Sequence, residues 1–170
     1  MDSIRASGKI YTPRWVVDYM LILLLDESLK DLQICNSTCG PGDFLVSIAE
    51  HVCERARKAS HSNLPRYIAT LRKLTGYNVD EEAVKHCQER LSSVVRKRLG
   101  QDLSNEFWQV RKIDAMDTWE HDQGRFNWVL GNPPYVRIQH LESDRKDRIK
   151  RSGWSYFYGS SDLYIVFFLS

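Results

Sequence analysis

The chain has 170 residues, a length typical of one domain, and its 42% hydrophobic and 27% charged residues exclude a disordered or fibrous chain. A net charge of +2, from 24 Lys and Arg against 22 Asp and Glu, excludes a polycation that holds nucleic acid by charge alone. The longest apolar run near the N-terminus, Met20–Leu25, is far shorter than the roughly 20 residues that span a bilayer, and no charged-then-apolar leader opens the chain. We therefore expect a cytoplasmic protein with no membrane partner, whose four cysteines are reduced thiols.

Patterns typical of helices and strands alternate along the chain. In order they predict a helix after Thr12-Pro13, a strand at 32–35, a helix from Phe44, a short helix after Leu64-Pro65, a strand at 74–79, a helix from 80–82 to near Gly100, and strands at 107–113 and 126–130. Strands separated by helices indicate βαβ units, and therefore an α/β fold with a parallel sheet between layers of helices.

The last third of the chain departs from this alternation. Residues 137–153 are polar and charged, and we expect them to be mobile. Residues 163–169 are strongly apolar and begin a further element. Since four parallel strands would leave an open sheet edge, which favours self-association, we expect the chain to be the front part of a longer protein.

A glycine-rich turn follows the first predicted strand and precedes a helix. Gly40 and Gly42 in this glycine turn (Cys39–Gly42) would let the backbone approach a ligand near the free N–H groups of the helix. An ordinary tight turn has the same pattern. At the ends of the next two strands, Asn78 and Asp80 could hold ribose hydroxyls, and Asp114 could accept from an adenine amino group. Asp80 is equally typical of a helix N-cap, and Asp114 of a turn.

The sharpest pattern is the proline turn, Gly131–Tyr135, at the end of the last predicted strand. Its two prolines fix the backbone and remove two N–H donors. An aromatic amine is a poor nucleophile because its lone pair is delocalised into the ring. The Asn132 side chain and the Pro133 carbonyl could accept from its two hydrogens and favour a pyramidal nitrogen, while Tyr135 stacks on the ring. The alternative without a catalytic role is a rigid turn that carries a surface tyrosine.

Motifs of one family occur in order along the chain. They are residues 8–13 (motif X), 36–45 (motif I), 76–80 (motif II), 113–117 (motif III), 126–135 (motif IV) and 161–164 (motif V). With them the chain resembles the gamma-class, N6-adenine-specific DNA methyltransferases, and within these the Eco57I-like (type IIG) restriction-modification enzymes. Two positions depart from the family pattern, because Asn36 and Asn78 stand where acidic residues are usual. Both changes predict a weaker hold on the cofactor.

The resemblance implies a Rossmann-like class I methyltransferase fold, a three-layer αβα sandwich that would here end before the last strands. Residues 1–170 would be the N-terminal part of the catalytic domain, with the recognition domain absent from this chain. The implied cofactor is S-adenosyl-L-methionine, with binding residues Tyr11, Thr12, Pro13, Asn36, Cys39, Gly40, Gly42, Phe44, Asn78, Val79, Asp80, Asp114 and Ala115. The implied catalytic residues are Asn132, Pro133, Pro134 and Tyr135. No metal is implied, and the five histidines show no ligand spacing.

The implied reaction is direct methyl transfer to an adenine flipped out of double-stranded DNA, in a bacterial or archaeal restriction-modification system. Residues 137–151 hold six basic and three acidic side chains and could meet phosphates, although a solvated loop explains them equally well. A nuclease or recognition domain would lie downstream or on a separate subunit, and this chain alone could self-associate.

Two rival interpretations stay open. The same proline turn serves methylation of a glutamine side chain in release-factor methyltransferases, whose amide nitrogen is also delocalised. Against this, those enzymes lack a segment placed like Tyr11-Thr12-Pro13. Alternatively, Asn36 and Asn78 could mark a degenerate scaffold that binds cofactor weakly.

Overall fold

A computed structural model describes residues 12–24, 32–133, 141 and 143–151. The chain divides into two compact units, one of Thr12–Gly131 and one of Met1–Tyr11 with Asn132–Ser170. No helix in the described part of the chain is both long and apolar enough to cross a membrane.

The first unit alternates helices and strands. Its elements are α1 (Arg14–Leu24), β1 (Ile34–Asn36), α2 (Asp43–Lys58), α3 (Leu64–Arg72), β2 (Leu74–Asn78), α4 (Glu81–Leu99), β3 (Gln109–Lys112), α5 (Trp119–Asp122) and β4 (Trp128–Val129). Short 3-10 helices lie at His61–Asn63, Asn105–Phe107 and Ala115–Asp117. This confirms the predicted α/β alternation.

The described strands form one parallel sheet in the order β3-β2-β1-β4. Ile34 and Cys35 of β1 pair with Leu74 and Thr75 on one side, and with Trp128 and Val129 on the other. The chain therefore moves outward from β1 through β2 to β3 and then crosses back to place β4 on the free side of β1. This reversal of direction creates a switch point between the ends of β1 and β4.

The hydrophobic core lies between the sheet and helices α1, α2 and α4. Fully buried side chains from each helix meet there, including Leu21, Leu45 and Leu91. The sheet alternates its faces, so Gly76 faces Leu45 of α2, whereas the hydroxyl of neighbouring Tyr77 donates to Asp122 of α5 at 2.9 Å. Helix α5 therefore lies on the opposite face of the sheet.

Two stretches differ from their predicted structure. Phe107 was expected in the third strand, but the 3-10 helix at Asn105–Phe107 precedes β3, and the Trp108 backbone N–H donates to the Asn105 carbonyl at 3.2 Å instead of to a neighbouring strand. Within residues 137–153, which were expected to be mobile, Ser143–Arg151 form helix α6 of the second unit. The acid and base spacing explains the helix, because Asp144 and Asp147 each precede an arginine by four residues. Residues 163–169 lie outside the described part.

The four cysteines are all free and buried. Burial raises the pKa of Cys35 to about 12 and that of Cys53 to about 11. A hydrogen bond with Cys39, together with burial, raises the pKa of Cys87 as well. These three thiols therefore stay protonated at neutral pH and are poor nucleophiles.

Candidate functional site

Most predicted site residues of the first unit follow the strands β1, β2 and β3 at the carboxyl edge of the sheet. Backbone hydrogen bonds continue past the strands there and fix the exits to one another: Cys39 N–H donates to Tyr77 at 2.9 Å, Ile113 N–H to Asn78 at 3.0 Å, and Leu130 N–H to Cys35 at 2.8 Å. In open α/β sheets, ligands bind outside this edge at the switch point.

The glycine turn joins β1 to α2 with two residues in the left-handed region. Gly40 has φ 51° and Gly42 has φ 95°, and Gly42 N–H donates to the Cys39 carbonyl at 2.9 Å. Gly42 is also the N-cap of α2, where it supplies no side-chain acceptor for the first-turn N–H groups. The turn therefore leaves this helix N-terminus without a side-chain cap, as an incoming polar ligand requires.

Protein side chains occupy the space that two glycines leave. A Cβ atom on Gly42 would overlap the Cys87 Sγ, and a Cβ atom on Gly76 would lie 2.7 Å from Leu45 and 3.2 Å from the Cys39 Sγ. Both glycines are thus required by packing beneath the turn. The sequence predicts that Gly42 lets the backbone approach a ligand closely. It does not predict that Gly42 also makes room for the Cys87 side chain.

Arg90 of α4 holds the glycine turn from the side. One guanidinium nitrogen donates both to the Pro41 carbonyl and to the Asp43 carboxylate, each at 2.8 Å. Both side chains are about one third exposed, so this ion pair is only partly screened by solvent. Arg90 therefore links the turn to a helix that begins after the next strand.

The polar residues after β2 and β3 are shaped by local hydrogen bonds. Asn78 Oδ1 accepts Asp80 N–H at 2.8 Å, and one Asp80 oxygen accepts Glu82 N–H at 3.1 Å, which makes Asp80 the N-cap of α4. Asp114 Oδ1 accepts Met116 N–H at 3.2 Å. The N-cap and turn alternatives for the two aspartates are therefore correct.

The remaining cofactor candidates differ in exposure. Val79 is 56% exposed directly after β2, and Ala115 is half-buried. Phe44 and Cys39 are buried in the core cluster, and Asn36 is 1% exposed. Thr12 is half-buried and Pro13 exposed before α1, while Tyr11 lies outside the described residues.

The proline turn begins where the first unit ends. Leu130 is buried, Gly131 is the last residue of the first unit, and the half-buried Asn132 and Pro133 belong to the second. Pro134 and Tyr135 lie outside the described residues, so the predicted stacking face has no observed geometry. No group of His, Cys, Asp or Glu among the described residues could hold a metal ion.

Comparisons with known proteins agree with this architecture. A family model described as Eco57I restriction-modification methylase matches residues 42–170, more than half of the chain. The chain belongs to the Eco57I restriction-modification methylase family. Its resemblance to these enzymes is thereby confirmed.

Individual relatives of this Eco57I-family chain are much longer than the chain itself. Type II methyltransferase M.XhoI from Xanthomonas vasicola is 30% identical over 95% of this chain and 30% of its own length. Type II methyltransferase M.BstVI from Geobacillus stearothermophilus is 26% identical over 97% of this chain and 31% of its own length. The chain thus spans about a third of these curated relatives.

One solved structure shares the fold. A chain of the DrdV–DNA complex, solved by cryoEM, matches with a TM-score of 0.67 at 15% identity, over 98% of this chain and 19% of that chain. With the parallel sheet and its switch point, this likeness confirms the Rossmann-like methyltransferase fold.

Two residues that contact the glycine turn, Cys87 and Arg90, are not indicated by the sequence pattern. Cys87 and Arg90 lie three residues apart on α4, so they share one helix face. Cys87 lies on the buried face of α4 with Val84 and Leu91, and the helical spacing of these apolar residues predicts a core position. That spacing does not predict that Cys87 also packs against Gly42 of the glycine turn.

Proposed function

We propose that the protein is a site-specific DNA adenine N6-methyltransferase of a restriction-modification system. The observation that carries the proposal is the switch point, where the exit of β1 into the glycine turn lies beside the exit of β4, which leads directly into Asn132. Such a place suits a methyltransferase, whose cofactor turn and methyl-acceptor turn would begin at these two strand exits. The type II methyltransferases among its relatives support the same class of reaction.

The carboxyl edge of the first unit fits S-adenosyl-L-methionine. The α2 N-terminus without a side-chain cap and the polar side chains of Asn78 and Asp114 lie where a nucleoside and an amino acid could bind. We infer that the adenosine lies between Asn78 and Asp114, with Val79 and Ala115 against the base. Thr12 and the glycine turn would hold the methionine part.

S-adenosyl-L-methionine, when bound, supplies a methyl group on a positively charged sulfur. Asn132 accepts one hydrogen of the adenine amino group through its side-chain carbonyl, and the Pro133 carbonyl accepts the other. The two acceptors favour a pyramidal nitrogen with a usable lone pair. A nitrogen held in this way would be the nucleophile for that methyl group, and one of the two hydrogens that face the Asn132 and Pro133 carbonyls would leave as a proton.

The adenine must leave the duplex before it reaches this turn, which costs a few kcal/mol. Stacking on Tyr135 offsets part of that cost, at about 1–3 kcal/mol per base. Basic residues of helix α6 follow the proline turn in the chain and would contact phosphates. We infer that the protein acts in the cytoplasm of a bacterium, as expected for relatives of bacterial origin.

The test is transfer of a tritiated methyl group from S-adenosylmethionine by the full-length protein. Mixed-sequence duplex DNA and a purified release factor serve as parallel acceptors. We expect incorporation into DNA alone. Label in the release factor instead would favour a glutamine methyltransferase, and cofactor binding without transfer to either acceptor would favour a scaffold.

A further inference from the structure

Asn36 ends β1 at the switch point, and its side chain is enclosed by the protein. It is only 1% exposed. Its Oδ1 accepts the backbone N–H of Thr38 at 3.1 Å, just before the glycine turn. This burial leaves little surface for contact with a cofactor, although the sequence resemblance places Asn36 among the cofactor residues.

The same oxygen faces Gly131 across the switch point. A Cβ atom on Gly131 would lie 2.7 Å from Asn36 Oδ1 and 3.4 Å from its Cγ, and real Cβ contacts essentially never fall below 3.0 Å. Gly131 follows the Leu130 N–H bond to Cys35, so its backbone is already held beside β1. A side chain at this position would therefore have to displace the buried Asn36 side chain.

Asn36 Oδ1 therefore lies against two chain segments, the one that enters the glycine turn and the one that leaves β4. Through Thr38 it restrains the entry to the glycine turn, and through Gly131 it limits how closely the end of β4 approaches. Gly131 directly precedes Asn132, so a shift at Gly131 would move the start of the proline turn. We call this arrangement of Asn36 with Thr38 and Gly131 the lock, because it restrains the exits of β1 and β4 relative to one another.

We propose that Asn36 is a positioning residue for methyl transfer, which sets the exit of β4 against the glycine turn just before the chain continues into Asn132. The proposal rests on the proposed function. Asn36 is small enough for the gap beside Gly131, supplies the acceptor that Thr38 needs, and carries no charge to be buried.

The test is a double-mutant cycle in the full-length protein, with Asn36→Ala, Gly131→Ala and the combined variant. Turnover at saturating cofactor, KM for DNA and the urea midpoint of unfolding are measured for each. Gly131→Ala should lower kcat at least tenfold and change KM less than threefold. Adding Asn36→Ala removes the overlapping oxygen, and should raise both kcat and the urea midpoint above those of Gly131→Ala alone.

Matched controls separate this lock from a general effect of losing a glycine. Gly100→Ala, at a positive φ of 66° with open space around it, should lower the urea midpoint slightly and leave kcat unchanged. Asn36→Asp retains an acceptor for Thr38 and should keep more turnover than Asn36→Leu, which has a similar volume but no acceptor.

Additive losses of kcat and stability in the combined variant would overturn the lock. A Gly131→Ala variant that loses stability but keeps its turnover would also overturn the proposal, because Asn36 would then have a structural role only. If the wild-type protein transfers no methyl group to DNA, the proposed function fails. The unfolding cycle still decides whether Asn36 and Gly131 are coupled.

Discussion

The glycine turn after β1 and the proline turn after β4 obtain their shapes by different means. The glycine turn relies on distant partners: Arg90 binds its Pro41 carbonyl, Cys87 packs beneath Gly42, and the Tyr77 carbonyl accepts from Cys39. The proline turn carries its restraint in its own sequence, since two prolines fix their φ angles without any partner. The fold thus supports the shape of the glycine turn, whereas the prolines restrain the proline turn locally.

The largest expected effect comes from the proline turn. Asn132→Ala should abolish methyl transfer while cofactor binding is retained, because Asn132 acts only as the amine becomes pyramidal. Loss of one such acceptor costs about 3 kcal/mol or more, a rate decrease of over a hundredfold. Tritium transfer and calorimetry measure the two properties. Asn105→Ala, at an exposed asparagine, is the control. Near-normal turnover of Asn132→Ala would remove this residue from catalysis.

Substitution in the glycine turn should lower the free energy of unfolding. Gly42→Ala combines a left-handed φ of 95° with overlap on Cys87, whereas Gly100→Ala has only the left-handed φ. We expect Gly42→Ala to lower the free energy of unfolding by about 2 kcal/mol more than Gly100→Ala, since overpacking adds about 1–3 kcal/mol. Urea denaturation of both variants gives the difference. Equal losses would show that the packing on Cys87 is unimportant.

Alkaline pH should weaken the glycine turn. The pKa of Cys87 is raised above its ordinary value of 9.0, so the unfolded thiol ionises first and stability is lost as pH rises above about 9. Between pH 8 and pH 10, one such thiol accounts for a loss of about 1.4 kcal/mol. Cys87→Ala should therefore lose less stability than wild type over this interval. A loss as large as that of wild type would contradict the contribution of Cys87.

The smallest effect is expected at Arg90. Arg90→Ala removes the hydrogen bonds to Pro41 and Asp43, and should lower the free energy of unfolding by about 1 kcal/mol at this partly exposed position. It should also weaken cofactor binding, because the glycine turn loses its lateral support. Arg96→Ala is the matched control, since the Arg96–Asp102 pair is mostly exposed. Calorimetry that finds equal cofactor affinity in both variants would disprove the support by Arg90.

The elements that the sequence predicted best have local causes. Gly100 ends α4 and Asp80 caps its start, and both were evident from residue type and position. The supports of the glycine turn could not be predicted in this way, because Arg90 reaches Pro41 across 49 positions of sequence. The lock between Asn36 and Gly131 depends likewise on β4 crossing back beside β1. Helix α6 was missed because its charges were assigned to a solvated loop, although their spacing also suits a helix.

The chemical identity of the product decides whether the protein methylates adenine at N6. Mixed-sequence duplex DNA is incubated with the full-length protein and S-adenosylmethionine, digested to nucleosides and analysed by mass spectrometry, with Asn132→Ala as background. We expect N6-methyldeoxyadenosine to be present with wild type and absent with the variant. A methylated cytosine instead, or an equal amount of N6-methyldeoxyadenosine from Asn132→Ala, would contradict it.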